Sequence, residues 1–313
     1  MSKNRSLLLA LAAAAMLYAF LFAIPREMIY QPVSPIVRTP ADMDLLYEDV
    51  VLYPADRSIA LAGWWMASSE PIAAMVFIHG AGSNRDSAFF EALKFYRAMV
   101  ERGVSVLAID LRNHGASGSD GRGVQFGLTE QADVTSAIDW VSQRAQGLPL
   151  FAMGISMGGA AVIHAAARGA PPIDGLILLD PLLDTHSALG SGAWVASGLP
   201  PGLFKPAGWA ATSFHGLPEG DDQALAIAAR LELPMLLIQD PTDPVTQAIY
   251  ARQLAQENAN VTFWMAPETP ADHPDIAWRE RWGSHVAAYA LYPGETLAQI
   301  MGFISGVAEG LDK

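Results

Sequence analysis

The chain has 313 residues, 51% hydrophobic and 16% charged, with a net charge of −13. Such a chain can fill one large α/β domain and is too apolar to be disordered, while its acidity argues against nucleic acid as a partner. Cysteine is absent, which excludes thiol nucleophiles, disulfides and thiolate-held metals.

Lys3 and Arg5 precede an unbroken apolar stretch from Leu7 to Ile24, closed by Pro25-Arg26-Glu27. Its length meets the roughly 18-residue requirement of a membrane-spanning helix. The stretch ends Ala19-Phe20-Leu21-Phe22-Ala23-Ile24, without a clean small-x-small cleavage site. Residues 1–25 therefore read as a retained membrane anchor; the alternative is a signal peptide whose removal gives a secreted protein. With Arg26 and Arg38 on the far side, the positive-inside bias is small; it is read as a cytoplasmic N-terminus with the folded domain outside. Pro25, Pro32, Pro35 and Pro40 make residues 26–45 an extended tether.

From residue 46 onwards strands and helices alternate. Glu48 to Tyr53 and Ile59 to Ala67 are predicted as early strands around a Pro54-Ala55-Asp56 turn. Short apolar runs then predict buried parallel strands at Ala73 to Ile78, Val104 to Ile109, Leu148 to Met153, Leu176 to Leu179, Met235 to Ile238 and Val261 to Met265. Helical spacing predicts Asp86 to Arg102, Thr129 to Arg144, Ser156 to Arg168, Val245 to Glu257 and Gly294 to Val307 between and after them. The pattern implies an α/β fold, a mostly parallel sheet with helices on both faces. Residues 182–233, rich in Gly, Pro, Ala and Trp, are too long for a simple connection and read as a helical cap over the sheet.

Chemistry concentrates where the predicted strands end, the usual place for sites in parallel sheets. Gly154-Ile155-Ser156-Met157-Gly158 is a G-x-S-x-G turn between a strand and a helix. Such a turn pushes a serine hydroxyl outward, and its glycines remove side chains that would obstruct the bend. His79-Gly80-Ala81-Gly82 follows an earlier strand, and the backbone N–H groups of Ala81 and Met157 are the expected oxyanion donors. Two acids follow a later strand in Gln239-Asp240-Pro241-Thr242-Asp243. Asp243, further out on the turn, is the chosen partner for a histidine, with Asp240 as its rival. Of the two C-terminal histidines, His285 in Ser284-His285-Val286 leads into an ordered apolar segment, whereas His273 lies in a polar loop; His285 is the expected base. His79 reads as a loop brace and His164 as a packing residue.

Together with Asp110-Leu111-Arg112-Asn113-His114-Gly115-Ala116-Ser117-Gly118, these motifs resemble the α/β-hydrolase superfamily of serine hydrolases, within the subgroup whose members often carry an N-terminal hydrophobic segment. The resemblance runs from about Leu46 to the end. It implies an α/β-hydrolase fold with an inserted cap, a triad of Ser156, Asp243 and His285, and small acyl ester or thioester substrates, lipids among them. It implies neither a metal nor a cofactor. Ser284 and Gln239-Asp240 depart from the residues usual at those places. A peptidase, an acyltransferase and a membrane-anchored, non-catalytic binding protein on the same fold remain alternatives.

Overall fold

The computed structural model describes residues 2–270 and 272–311; the outer ends of the predicted anchor and hydrolase domain, Met1 and residues 312–313, lie outside them, as does Ala271. Among the described residues one sheet carries β1 (Glu48–Leu52), β2 (Leu61–Met66), β3 (Ala73–Ile78), β4 (Val104–Ile109), β5 (Leu150–Ile155), β6 (Gly175–Leu179), β7 (Met235–Gln239) and β8 (Val261–Met265). Their order is β1-β2-β4-β3-β5-β6-β7-β8. β2 runs antiparallel to both β1 and β4, and every other pairing is parallel. All residues of β3 to β7 are buried. Helices covering both faces of these strands explain why their sequences are continuous apolar runs rather than alternations.

Alternate strand residues feed the two layers. Val76 and Ile78 pack with Val134 and Ile138 of helix Gln131–Arg144 and with Ala161 of helix Met157–Ala167. Met75 and Phe77 face the other way, towards Phe95 of helix Ala92–Val100 and Ile300 of helix Pro293–Leu311. Between β6 and β7 stand helices Thr185–Ser197, Lys205–His215 and Ala224–Ala228. The first of these is capped by Asp184, whose carboxylate accepts the Ser187 N–H at 2.7 Å.

Several boundaries differ from expectation, and three of them bear on the site. β5 extends to Ile155, which pairs with Leu179, so the strand delivers its last residue directly to Ser156. The helix expected from Asp86 starts at Ala92, because Asp86 accepts from the Arg38 backbone and Glu91 takes a left-handed φ of 61°. The helix expected from Val245 starts at Ala248. The N–H groups of Val245 and Thr246 are instead committed to Asp243.

The N-terminal helix runs as Ser2–Tyr18, a wider π segment Ala19–Ala23, and Ile24–Ile29. Pro25 sits just after the wide turn, where the missing N–H and the ring are accommodated without breaking the helix. Residues Asn4–Ile29 are long and apolar enough to cross a membrane. The lower end touches the cap, with Phe20 against Phe204 and Phe22 stacked on Phe214, each 6.4 Å between ring centroids. Ile29 is fully buried.

His164, on helix Met157–Ala167, is fully buried and neither ring nitrogen meets a partner among the described residues. Burial, reinforced by Arg168, lowers its pKa from 6.5 to about 4. The folded protein therefore holds the ring neutral, whereas the unfolded chain takes a proton below pH 6.5. The stability lost on acidification accrues between pH 6.5 and about 4. His164→Leu is expected to be more stable at neutral pH, since it removes an unsatisfied buried polar group. Its advantage should widen by up to about 1.4 kcal/mol per pH unit below 6.5. Thermal unfolding of both chains at pH 7 and 5 checks this; parallel pH profiles would mean that the buried ring accepts a proton.

Candidate active site

Ser156 lies between β5 and helix Met157–Ala167 at φ 51°, ψ −121°, a strained conformation for a residue with a side chain. The bend is possible because its neighbours lack Cβ atoms. A Cβ on Gly158 would stand 2.3 Å from the Ile78 carbonyl oxygen, and one on Gly154 2.3 Å from that of Gly158.

The Ser156 Oγ lies 3.0 Å from His285 Nε2, and His285 Nδ1 lies 2.7 Å from Asp243 Oδ2. A carboxylate can only accept, so Nδ1 carries the proton and Nε2 faces the serine as an acceptor. The Asp243 carboxylate is held by four donors. Oδ1 accepts the N–H groups of Val245 (2.6 Å) and Thr246 (3.0 Å), while Oδ2 accepts the Thr246 hydroxyl (2.7 Å) as well as the imidazole. His285 is 4% exposed, with Trp282 stacked on its ring at 5.9 Å and Arg279 donating to its carbonyl at 3.0 Å.

The rival residues stand elsewhere. Asp240 turns its Oδ1 to the N–H and hydroxyl of Thr242, both at 2.7 Å. His273 stays in its own loop, accepting the Asp275 N–H at 3.3 Å. His79 braces its loop as a neutral ring: Nδ1 donates to the Gly80 carbonyl and Nε2 accepts the Leu111 N–H. Burial, with His114 and Arg85 acting in the same direction, depresses its pKa to about 3.

Beside the serine, a Cβ on Gly80 would be 3.1 Å from that of Ser156 and 3.6 Å from its Oγ, so Gly80 passes close to the hydroxyl. Met157 opens its helix, and its N–H has no acceptor within that helix.

Asp180 belongs to none of the motifs read from the sequence. It follows β6 at φ 44° and is fully buried. Its carboxyl accepts the Asp240 N–H at 2.7 Å and the Val286 N–H at 2.9 Å, joining the acid-bearing loop to the histidine-bearing one. Burial, then the charges of Asp243 and Asp240, raise its pKa well above the carboxylate range. The one legible signal is an acid directly after a buried parallel strand. Ligand atoms of Asp180, Asp243 and His285 lie within 4.8 Å of one another, as in a metal site. Each is already engaged by a hydrogen bond of the protein itself.

A family model described as "Serine aminopeptidase, S33" matches residues 69–215. Human monoglyceride lipase is 31% identical over 147 residues, which are 47% of this chain and 46% of the human protein. The mouse monoglyceride lipase is 30% identical over 149 residues. The chain thus spans about half the length of the curated relatives it matches. Among solved structures, an esterase of Pyrococcus furiosus superposes with a TM-score of 0.68 at 20% identity, covering 88% of this chain and 98% of that one. Est1E of Butyrivibrio proteoclasticus, solved with ferulic acid, superposes at 0.54 with 15% identity over 77% of this chain and 99% of its own. The chain therefore shares the α/β-hydrolase fold of these structures, and residues 69–215, from β3 into the cap, match the serine aminopeptidase family model.

Proposed function

We propose that this protein is a serine hydrolase that cleaves the carboxylic ester or thioester bonds of acyl, lipid-like substrates through an acyl-enzyme. The observation that carries this reading is the Ser156–His285–Asp243 relay on the strained turn, at 3.0 and 2.7 Å. Ser156 attacks the acyl carbonyl while His285 Nε2 takes its proton. Asp243 keeps the imidazole in the accepting tautomer and stabilises it once charged. The N–H groups of Ala81 and Met157 receive the oxyanion, each contributing about 3 kcal/mol to the transition state. His285 returns its proton to the leaving alcohol or thiol, and water then releases the acid.

The cap and the N-terminal helix support a bilayer source for the acyl chain. Leu199, Leu203, Trp209 and Phe214 of the cap are all at least half exposed, and Phe214 stacks on Phe22 of the apolar helix. A spanning helix seated there would lay the cap's apolar side against lipid, with residues 182–233 acting as a lid over the site. The monoglyceride lipase relatives agree with an acyl-glycerol type of substrate. A peptidase needs acids free to bind a substrate amine. The cap's Glu219, Asp221 and Asp222 instead face His186, Arg230 and Arg168.

A fluorophosphonate probe is expected to label the full-length chain in detergent and to leave Ser156→Ala unlabelled. Turnover of p-nitrophenyl esters should rise with acyl length. An unreactive wild-type chain sinks the hydrolase reading, and a preference for acetyl esters sinks the lipid-like substrate.

A further inference from the structure

Residues 30–39 join the apolar helix to the folded domain and lack regular secondary structure, yet they are hydrogen-bonded to the loop that carries Ala81. The Ile29 carbonyl accepts the Val124 N–H at 2.8 Å, which anchors one end. The Ser34 hydroxyl donates to the Gly82 carbonyl at 2.7 Å. Asn84 donates its side-chain amide to the carbonyls of Ser34 and Pro35, both at 3.0 Å. At the far end Arg38 grips Asp86, with its backbone N–H at 2.9 Å and its guanidinium at 2.8 Å. Asp86 is 6% exposed, so this charge pair is shielded from water on the carboxylate side.

The inner side of the same loop is held independently. His114 Nε2 accepts the Gly82 N–H at 3.2 Å, and Asp110 accepts the Arg85 N–H at 2.8 Å. Gly82, at φ 66°, therefore has its N–H fixed from inside and its carbonyl from outside. A Cβ at Gly82 would lie 2.5 Å from the Gln31 side-chain oxygen, so the Gln31 side chain rests directly against the Gly82 backbone. Gly82 closes the turn whose first peptide, Gly80-Ala81, bears the expected oxyanion donor. Releasing the outer clamp leaves the turn held only by His79 and Ser83 on the Gly80 carbonyl and by His114 on the Gly82 N–H, and a donor displaced by about 1 Å loses much of its effect on rate.

We propose that residues 29–38 form a strap that positions the oxyanion loop, so that Ser34 and Arg38 govern the rate of acyl transfer without touching substrate. This rests on the hydrolase reading. It makes the segment next to the apolar helix part of the reaction machinery rather than a spacer.

The test uses the full chain in detergent micelles with Ser34→Ala, Arg38→Ala, the double variant and Arg38→Lys. For the double variant, kcat on a p-nitrophenyl ester should fall about 10- to 100-fold, with KM held within about 2-fold. Fluorophosphonate labelling should slow in the same proportion, because the phosphonyl oxygen uses the same donors. Amide exchange over residues 80–86 should quicken, and Arg38→Lys should recover part of the rate. An unchanged kcat, or a fall that tracks lost thermal stability, overturns the strap's role. An unlabelled wild type overturns the hydrolase reading and the strap with it. An active wild type equalled by the double variant overturns the strap alone.

Discussion

Asp243→Asn is expected to lower kcat for ester hydrolysis about 10⁴-fold while the protein stays folded. The reason lies in what surrounds the carboxylate. Oδ1 faces two backbone N–H donors, so the amide oxygen of an asparagine must take that place. Its NH2 group then points at His285 Nδ1, which can only respond by becoming an acceptor. The ring's proton moves to Nε2 and faces Ser156, where a proton acceptor is required. Flipping the amide does not help, because NH2 would then oppose the N–H groups of Val245 and Thr246. Asp240→Asn leaves the relay untouched and should keep kcat near the wild-type value, since Thr242 still finds an oxygen there. Steady-state kinetics with a p-nitrophenyl ester, alongside circular dichroism, decides the matter. A collapse in Asp240→Asn with activity kept in Asp243→Asn would reverse the assignment.

The parts of this molecule legible in its sequence are those governed by short-range rules. β3 and β4 end where their apolar runs end, because a strand packed between layers tolerates few polar residues. The order of serine, acid and histidine is readable because each follows or approaches the carboxyl end of a strand. The choice between Asp240 and Asp243 comes from reach across the loop, and the 2.7 Å contact to His285 belongs to Asp243.

What escapes the sequence depends on partners far away along the chain. The segment around Arg38 looks like a proline-rich tether because nothing local distinguishes a free tether from a clamped one. Its pairing with Asp86 spans 48 residues and leaves no periodic trace. That same pairing removes Asp86 from the helix in which its neighbours' spacing places it. Asp180 escapes for a related reason. Its two donors come from loops 60 and 106 residues further on, so its role exists only after the sheet has brought β6 beside β7.

Gly158→Ala is expected to cost about 3 kcal/mol or more and to leave little folded protein at 37 °C. The methyl group would fall 2.3 Å from the Ile78 carbonyl oxygen and 2.6 Å from that of His79. Neither atom belongs to a side chain that can swing aside. Ile78 is the last residue of β3 and pairs with both β4 and β5, so any retreat must move the centre of the sheet. The same retreat would shift His79 and Gly80 and with them the Ala81 N–H, so even the folded fraction should turn over slowly. Gly302 on helix Pro293–Leu311 provides the contrast, since a methyl group added there would meet nothing within 4 Å. There Gly302→Ala should gain up to about 1 kcal/mol, because alanine is the better helix former and the space is open. Thermal unfolding of the two variants should therefore move in opposite directions from wild type. A Gly158→Ala chain that melts with the wild type and keeps its kcat would mean that the elbow opens far more easily than its backbone contacts imply.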